Sequence, residues 1–256
     1  MNRSRTYRTE AIVLKAQDYG EADKLLTLLT PQAGKLRAVA KGVRKPNSRM
    51  GGHLDLFTRS NLFLARGRNL DIVTQAVALE HFTAMRLDLA RSTYAHYVAD
   101  LLDGFTVEGM AGYPLYDLAL KTYARLASVD DPDLALRAFE VRLLTLSGYR
   151  PQLRSCLVCD ESIVPGPNRF SAYRGGVICP NCALQEPGSV PISTDALKIL
   201  RNLQSNEAVM LQLPRLDSVL QREVEQRLRE YVVHRLESRP RSLNVLERLR
   251  VEGAVT

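Results

Sequence analysis

The chain has 256 residues, 45% of them hydrophobic and 25% charged, and a formal net charge of +7. That length and composition fit an ordinary globular protein with room for two modest domains, and exclude a disordered chain. No run approaches the roughly eighteen apolar residues of a membrane span, and the polar, basic stretch from Met1 to Arg8 has no apolar segment behind it. The expectation is an unprocessed cytoplasmic protein with no membrane association.

The charge is concentrated at one end. Residues 1–80 hold fourteen Lys and Arg against seven Asp and Glu, whereas residues 81–256 hold twenty-one of each. No acidic residue lies between Lys24 and Asp55. A localised positive field concentrates and steers a polyanion, so the amino-terminal part is expected to carry the binding surface.

Residues 6–80 read as strands. Ala11–Lys15 is a short β-type run, Lys24–Thr30 a second, and Gly34–Lys41 a third in which charged and apolar residues alternate. The turn residues Pro31 to Gly34 predict a hairpin between the second and third runs, with Lys35, Arg37 and Lys41 on one face. Two more strands are predicted over Phe57–Ala65 and Leu70–Ala78, joined around Arg66 to Asn69. Five short strands in this span suit a small closed sheet, and the OB-fold is the five-stranded barrel most used for oligonucleotides.

From residue 83 the period becomes helical. Tyr94, Tyr97, Val98, Leu101, Leu102 and Phe105 fall on one helix face, and this aromatic stripe is read as core rather than as a base-stacking platform. Asp131 and Pro132 start another helix, which Gly148 and Pro151 end. Further helices are predicted at Pro114–Ala127, Thr194–Leu203 and Leu216–Leu236. The tail from Arg239 places Leu243, Leu246 and Leu249 at helical spacing, as a short terminal helix fraying towards Gly253. The fold class expected is α+β, a five-stranded OB-fold barrel followed by an all-α domain carrying a cysteine module.

That module holds every cysteine, as Cys156-x-x-Cys159 and Cys179-x-x-Cys182. Paired knuckles of this spacing read as a tetrathiolate site for one structural zinc ion, because each two-residue gap lets both thiolates of a turn face the same tetrahedral centre. Two disulfides are the alternative that a reducing compartment disfavours. A redox dithiol would need a single pair on a strand-to-helix turn. A tight hairpin around Arg174 and Gly175 is expected between the knuckles, giving a zinc ribbon.

The densest basic cluster joins Lys35, Arg37 and Lys41 on a strand to Arg44, Lys45 and Arg49 in the loop that follows, where Gly42, Pro46, Gly51 and Gly52 favour an exposed, irregular path. Absence of carboxylates argues against a salt-bridged helix face and for phosphate contact. No Phe, Tyr or Trp lies between Tyr19 and Phe57, so binding is expected to come from phosphates rather than stacking, with steep salt dependence and little sequence preference.

Enzyme readings find no support. His53, His81, His96 and His234 are not spaced as ligands, and there is no Walker loop, nucleophile elbow or dinucleotide fingerprint. Four thiolates would also leave a metal no open position for water or substrate. Asp18, Glu21 and Asp23 are read as capping residues or partners of nearby cations rather than as a magnesium site.

The runs Tyr19–Leu25, Gly34-Lys35 and Ala40–Arg49, followed by the paired knuckles with Gly175-Gly176 before Cys179, resemble the bacterial RecO family of DNA repair proteins along nearly the whole chain. The resemblance implies a recombination mediator without catalytic activity, which binds single- and double-stranded DNA and anneals complementary strands. It would act with RecR, RecF and single-strand-binding protein to load RecA on the nucleoid. It assigns DNA contact to Lys35, Arg37, Lys41, Arg44, Lys45 and Arg49, and metal ligation to the four cysteines. The boundaries expected are residues 1–82 for the OB-fold, 83–152 with 184–245 for the helical domain, 153–183 for the zinc module and 246–256 for a tail. An RNA-directed accessory factor with an OB barrel and zinc ribbon is the rival reading.

Overall fold

The computed structural model describes residues 5–110, 112–129, 131–205 and 217–251. Chain contacts separate two units, Met1–Ser128 with Arg241–Thr256, and Val129–Pro240. Both divisions lie away from residue 82, because the helices after the barrel pack back onto it.

In the first unit β1 (Thr6–Tyr19), β2 (Asp23–Thr30), β3 (Gly34–Ala40), β4 (Arg59–Ala65) and β5 (Asp71–Glu80) close a barrel in the order β1-β2-β3-β5-β4. Neighbours are antiparallel except for β3 and β5, which pair in parallel. This is the OB-like arrangement expected from the strand count. Inside it Ala11, Val13, Leu26, Leu28, Ala38, Ala40, Leu62, Leu64 and Val73 form the core. Each fully buried Leu or Val contributes roughly 1.5–3 kcal/mol.

β1 is much longer than its apolar run, fourteen residues rather than five. Its first half pairs with β4 and its second with β2, and a bulge between Val13 and Lys15 bends the strand from one partner to the other. β4 begins at Arg59 and not at Phe57, whose φ of 65° breaks the extended path. The predicted β2–β3 hairpin is present, with Thr30 opposite Gly34.

Helices α1 (Thr83–Leu87), α2 (Leu89–Phe105) and α3 (Tyr113–Ser128) complete this unit with α7 (Arg241–Val251). α2 and α3 pack on β1, β2 and β3, which buries Ile12, Leu14, Leu29 and Val39 outside the barrel core. Tyr94 and Tyr97 are each 1% exposed, so the aromatic stripe is core. α7 is one continuous helix packed on α2, with Leu243 and Leu246 buried and the Ser242 amide and hydroxyl donating to Asp100 Oδ2 at 3.1 and 2.7 Å. The helix runs through residue 246, and the expected fraying at Gly253 lies outside the described residues.

The second unit contains α4 (Pro132–Leu146), strands β6 (Arg169–Ser171), β7 (Gly176–Ile178) and β8 (Val190–Pro191), and helices α5 (Thr194–Ser205) and α6 (Ser218–Leu236). Asp131 caps α4 by accepting the Leu134 amide at 3.1 Å, and Gly148, at φ 84°, follows its end. Leu216, where the last long helix was expected to start, lies outside the described residues. β6 pairs with both β7 and β8, so the small sheet has a third strand beyond the second knuckle, and the module extends past residue 183. Among the described residues no helix is long and apolar enough to cross a membrane.

Candidate nucleic-acid interface and metal centre

The six basic residues singled out in the sequence fall into two groups. Lys35 points at α2, where its ammonium donates to the Asp103 carbonyl at 2.6 Å and to its carboxylate at 3.0 Å. Lys15 reaches the same carboxylate at 2.9 Å. Burial opposes the charged form of Asp103, but hydrogen bonds from Lys15 and Lys35 outweigh it and hold the carboxyl below its usual range. Lys35, with a side chain only 15% exposed, therefore ties the barrel to a helix instead of facing solvent. Arg37 is more open, and Glu108 lies 3.9 Å from it.

Lys41, Arg44, Lys45 and Arg49 are exposed together on the loop after β3. Arg44 pairs with Asp18 at 3.2 Å. Lys41, Lys45 and Arg49 have no carboxylate within ion-pair distance among the described residues. The loop has the exposed, irregular path expected from its glycines, and hydrogen bonds hold it in place. Its start is stitched to the β1–β2 turn by Arg44 N donating to Ala22 O at 2.9 Å and by Gly42 N donating to Asp23 Oδ1 at 2.7 Å. Successive turns follow, and Val43 is anchored in the barrel core. Of the acidic cluster, Asp18 thus serves as partner to Arg44 and Asp23 as acceptor for the Gly42 amide.

Sequence reasoning missed two aromatic features. Tyr19, half exposed, ends β1 opposite Asp23, the residue that accepts the Gly42 amide at the start of the basic loop. On the far side of the barrel the Arg66 guanidinium lies 4.6 Å from the centre of the Tyr7 ring and that of Arg8 5.6 Å from Phe63. These pairs join strands distant in sequence, and only the β1–β4 register brings them together.

In the second unit the four Sγ atoms of Cys156, Cys159, Cys179 and Cys182 all lie within 4.8 Å of one another. Cys159 Sγ and Cys179 Sγ are 3.8 Å apart, far beyond the ~2.05 Å of a disulfide and close to the edge of a tetrahedron with metal–sulfur bonds of about 2.3 Å. Backbone amides of Cys179 and Val158 point at Cys156 Sγ at 3.3 and 3.5 Å. Burial pushes the Cys156 thiol up, but backbone amides, those of Cys179 and Cys159 foremost, overcome this and lower it to about 6. Burial pushes Cys182, with thiols for neighbours, up to about 12. A cation at the centre would favour the thiolate at all four. The β6–β7 connection is a four-residue loop, wider than the tight hairpin predicted. It closes on Gly175, at φ 80°, where a Cβ would stand 2.4 Å from the Tyr231 hydroxyl.

Comparison with known proteins identifies a family. Residues 1–82 match the family model described as Recombination protein O N terminal, and residues 86–244 match Recombination protein O C terminal. A DNA repair protein RecO of Roseiflexus sp. is 44% identical, the match covering 97% of this chain and 87% of the relative. The protein of that name from Desulforudis audaxviator is 41% identical over 97% of this chain and 99% of its own. One from Dehalococcoides mccartyi is 36% identical, with 97% and 98% covered. With both halves matched in order, the chain belongs to the RecO family of DNA repair proteins.

Proposed function

We propose that this protein is a non-enzymatic recombination mediator that binds single- and double-stranded DNA without strong sequence preference and anneals complementary strands. Partners fitting this role are RecR and single-strand-binding protein, with RecF and RecA reached through them, on the nucleoid in the cytoplasm. The observation that carries the reading is the loop after β3, where Lys41, Lys45 and Arg49 stand exposed with no carboxylate partner among the described residues. Arg37 and Arg44, loosely paired at 3.9 and 3.2 Å, extend the surface. Cations held there neutralise phosphates on two strands and lower their mutual repulsion, so complementary bases can meet. Lys35 is left out of the contact set because α2 holds it. The functional boundary proposed remains near residue 82, at the end of the barrel.

For the second unit we infer one structural Zn²⁺ held by Cys156, Cys159, Cys179 and Cys182. Their spacing fits a tetrahedral sphere, and the ion would cross-link the two knuckles and the sheet between them. The test of the whole reading is a salt titration of binding to single-stranded DNA, duplex DNA and RNA oligomers, with annealing measured in parallel. Preference for DNA, a steep slope and annealing that disappears in Lys41→Glu/Arg44→Glu/Lys45→Glu support it. Preference for RNA, or affinity unchanged in that variant, refutes it.

A further inference from the structure

Helices cover part of the outer surface of the barrel. Strands β1, β2 and β3, the side an OB-fold commonly offers to oligonucleotides, are partly covered by α2 and α3. The opposite side keeps a cavity of about 340 Å³ lined by Arg8, Asn61, Leu62, Phe63, Gln75 and Val77. Its construction follows from register. Arg8 pairs with Phe63 and Phe63 with Gln75, so a guanidinium, a ring and an amide form one row across three strands. Asn61 and Val77 form the adjacent row, and Val77 is 59% exposed.

The chemistry around this cavity is that of a base site. A ring with an adjoining guanidinium offers a stacking surface tolerant of any base, and side-chain amides carry the donors and acceptors that meet a base edge. Arg5, Arg66 and Arg68 lie at the same end of the barrel, since Arg66 N donates to Arg5 O at 2.8 Å. None of these arginines, nor Arg8, has a carboxylate partner among the described residues. The nearby Asp71 is engaged by the Tyr7 hydroxyl at 2.5 Å and the Gly67 amide at 3.2 Å. Parallel pairing of β3 with β5 also links this surface to the basic loop, because Ala40, just before Lys41, pairs with Val73, two residues from Gln75.

We propose that the outer face of β1, β4 and β5 holds an unpaired nucleobase of the bound single strand, stacked on Phe63 and Arg8 with Asn61 and Gln75 at its edge. The proposal rests on the reading of the protein as a DNA binder, and gives it a preference for single strands that the loop cations alone would not supply. Duplex DNA keeps its bases stacked and gains nothing from the cavity.

The experiment measures affinity for a single-stranded oligomer, the same oligomer with abasic sites, and a duplex, using the full chain at fixed salt. Phe63→Leu keeps an apolar side chain and removes the ring; Arg8→Gln, at an exposed position, is the second variant, and thermal melting confirms that each folds. Single-strand affinity should fall about fivefold or more in Phe63→Leu, with duplex affinity and salt slope unchanged. The wild type should lose a similar factor on the abasic strand, to which Phe63→Leu should be indifferent. Equal single-strand affinity in wild type and both variants, with binding still abolished by the loop substitutions, overturns the base site and leaves the proposed function standing. Failure of the wild type to bind DNA at all overturns both.

Discussion

Replacing Lys41, Lys45 and Arg49 together by Gln removes the loop cations that have no carboxylate partner among the described residues. Each phosphate contact to a single strand contributes about 0.7 to the slope of log affinity against log salt, so the slope should fall by about 2. Because this term fades near 1 M salt, affinity at 0.1 M should drop about a hundredfold. The control is Lys35→Gln, which sequence alone would group with them. Its ammonium is already spent on Asp103, so the salt slope should not change, whereas stability should fall by about 1–2 kcal/mol for the lost charged hydrogen bonds. Fluorescence anisotropy over a salt series gives the slope, and urea denaturation gives the stability. A Lys35→Gln slope reduced as much per residue as in the triple variant would refute the division of the basic cluster into bound and free cations.

Gly34→Ala should destabilise the first unit by at least about 2 kcal/mol, seen as a lowered urea midpoint, because φ is 61° and the added Cβ would lie 1.9 Å from Met110 O. The Asp103 carboxyl lies below its usual value in the folded protein, so its ionised form stabilises the fold above about pH 4 and that contribution disappears as pH falls through the lower folded value. Asp103→Asn should flatten this acid limb in a pH series of melting curves. Elemental analysis should find one zinc per chain, and chelation should lower the melting temperature while leaving the single-strand salt slope unchanged, since the ligands and the basic loop lie in different units.

Apolar periodicity made most elements legible. β2 and β3 appear in the sequence because their inward residues, Leu26, Leu28, Ala38 and Ala40, alternate with outward ones. The first half of β1 was not legible, since Thr6 to Glu10 are mainly polar and owe their extended form to pairing with β4. The clustering of the four cysteines was legible, because each two-residue gap is a local turn that brings its own two thiols together; the small sheet between the knuckles joins the pairs. The basic site could be read only as a set of candidates: local spacing locates a charge on the chain, while a partner such as Asp103, 68 residues from Lys35, is brought by helix packing.

The sequence by itself determined most of the barrel-forming strands, the helical periods, the paired spacing of the four cysteines and the concentration of positive charge in the first eighty residues, all consequences of short-range pattern and composition. Tertiary structure decided which of those charges remain available. It committed Lys15 and Lys35 to α2, held Arg44 against Asp18, left Lys41, Lys45 and Arg49 in solvent, and set Arg8 over Phe63 by strand register. The physical reason is that a charge acts through what lies within a few ångströms of it, and those neighbours come from remote parts of the chain.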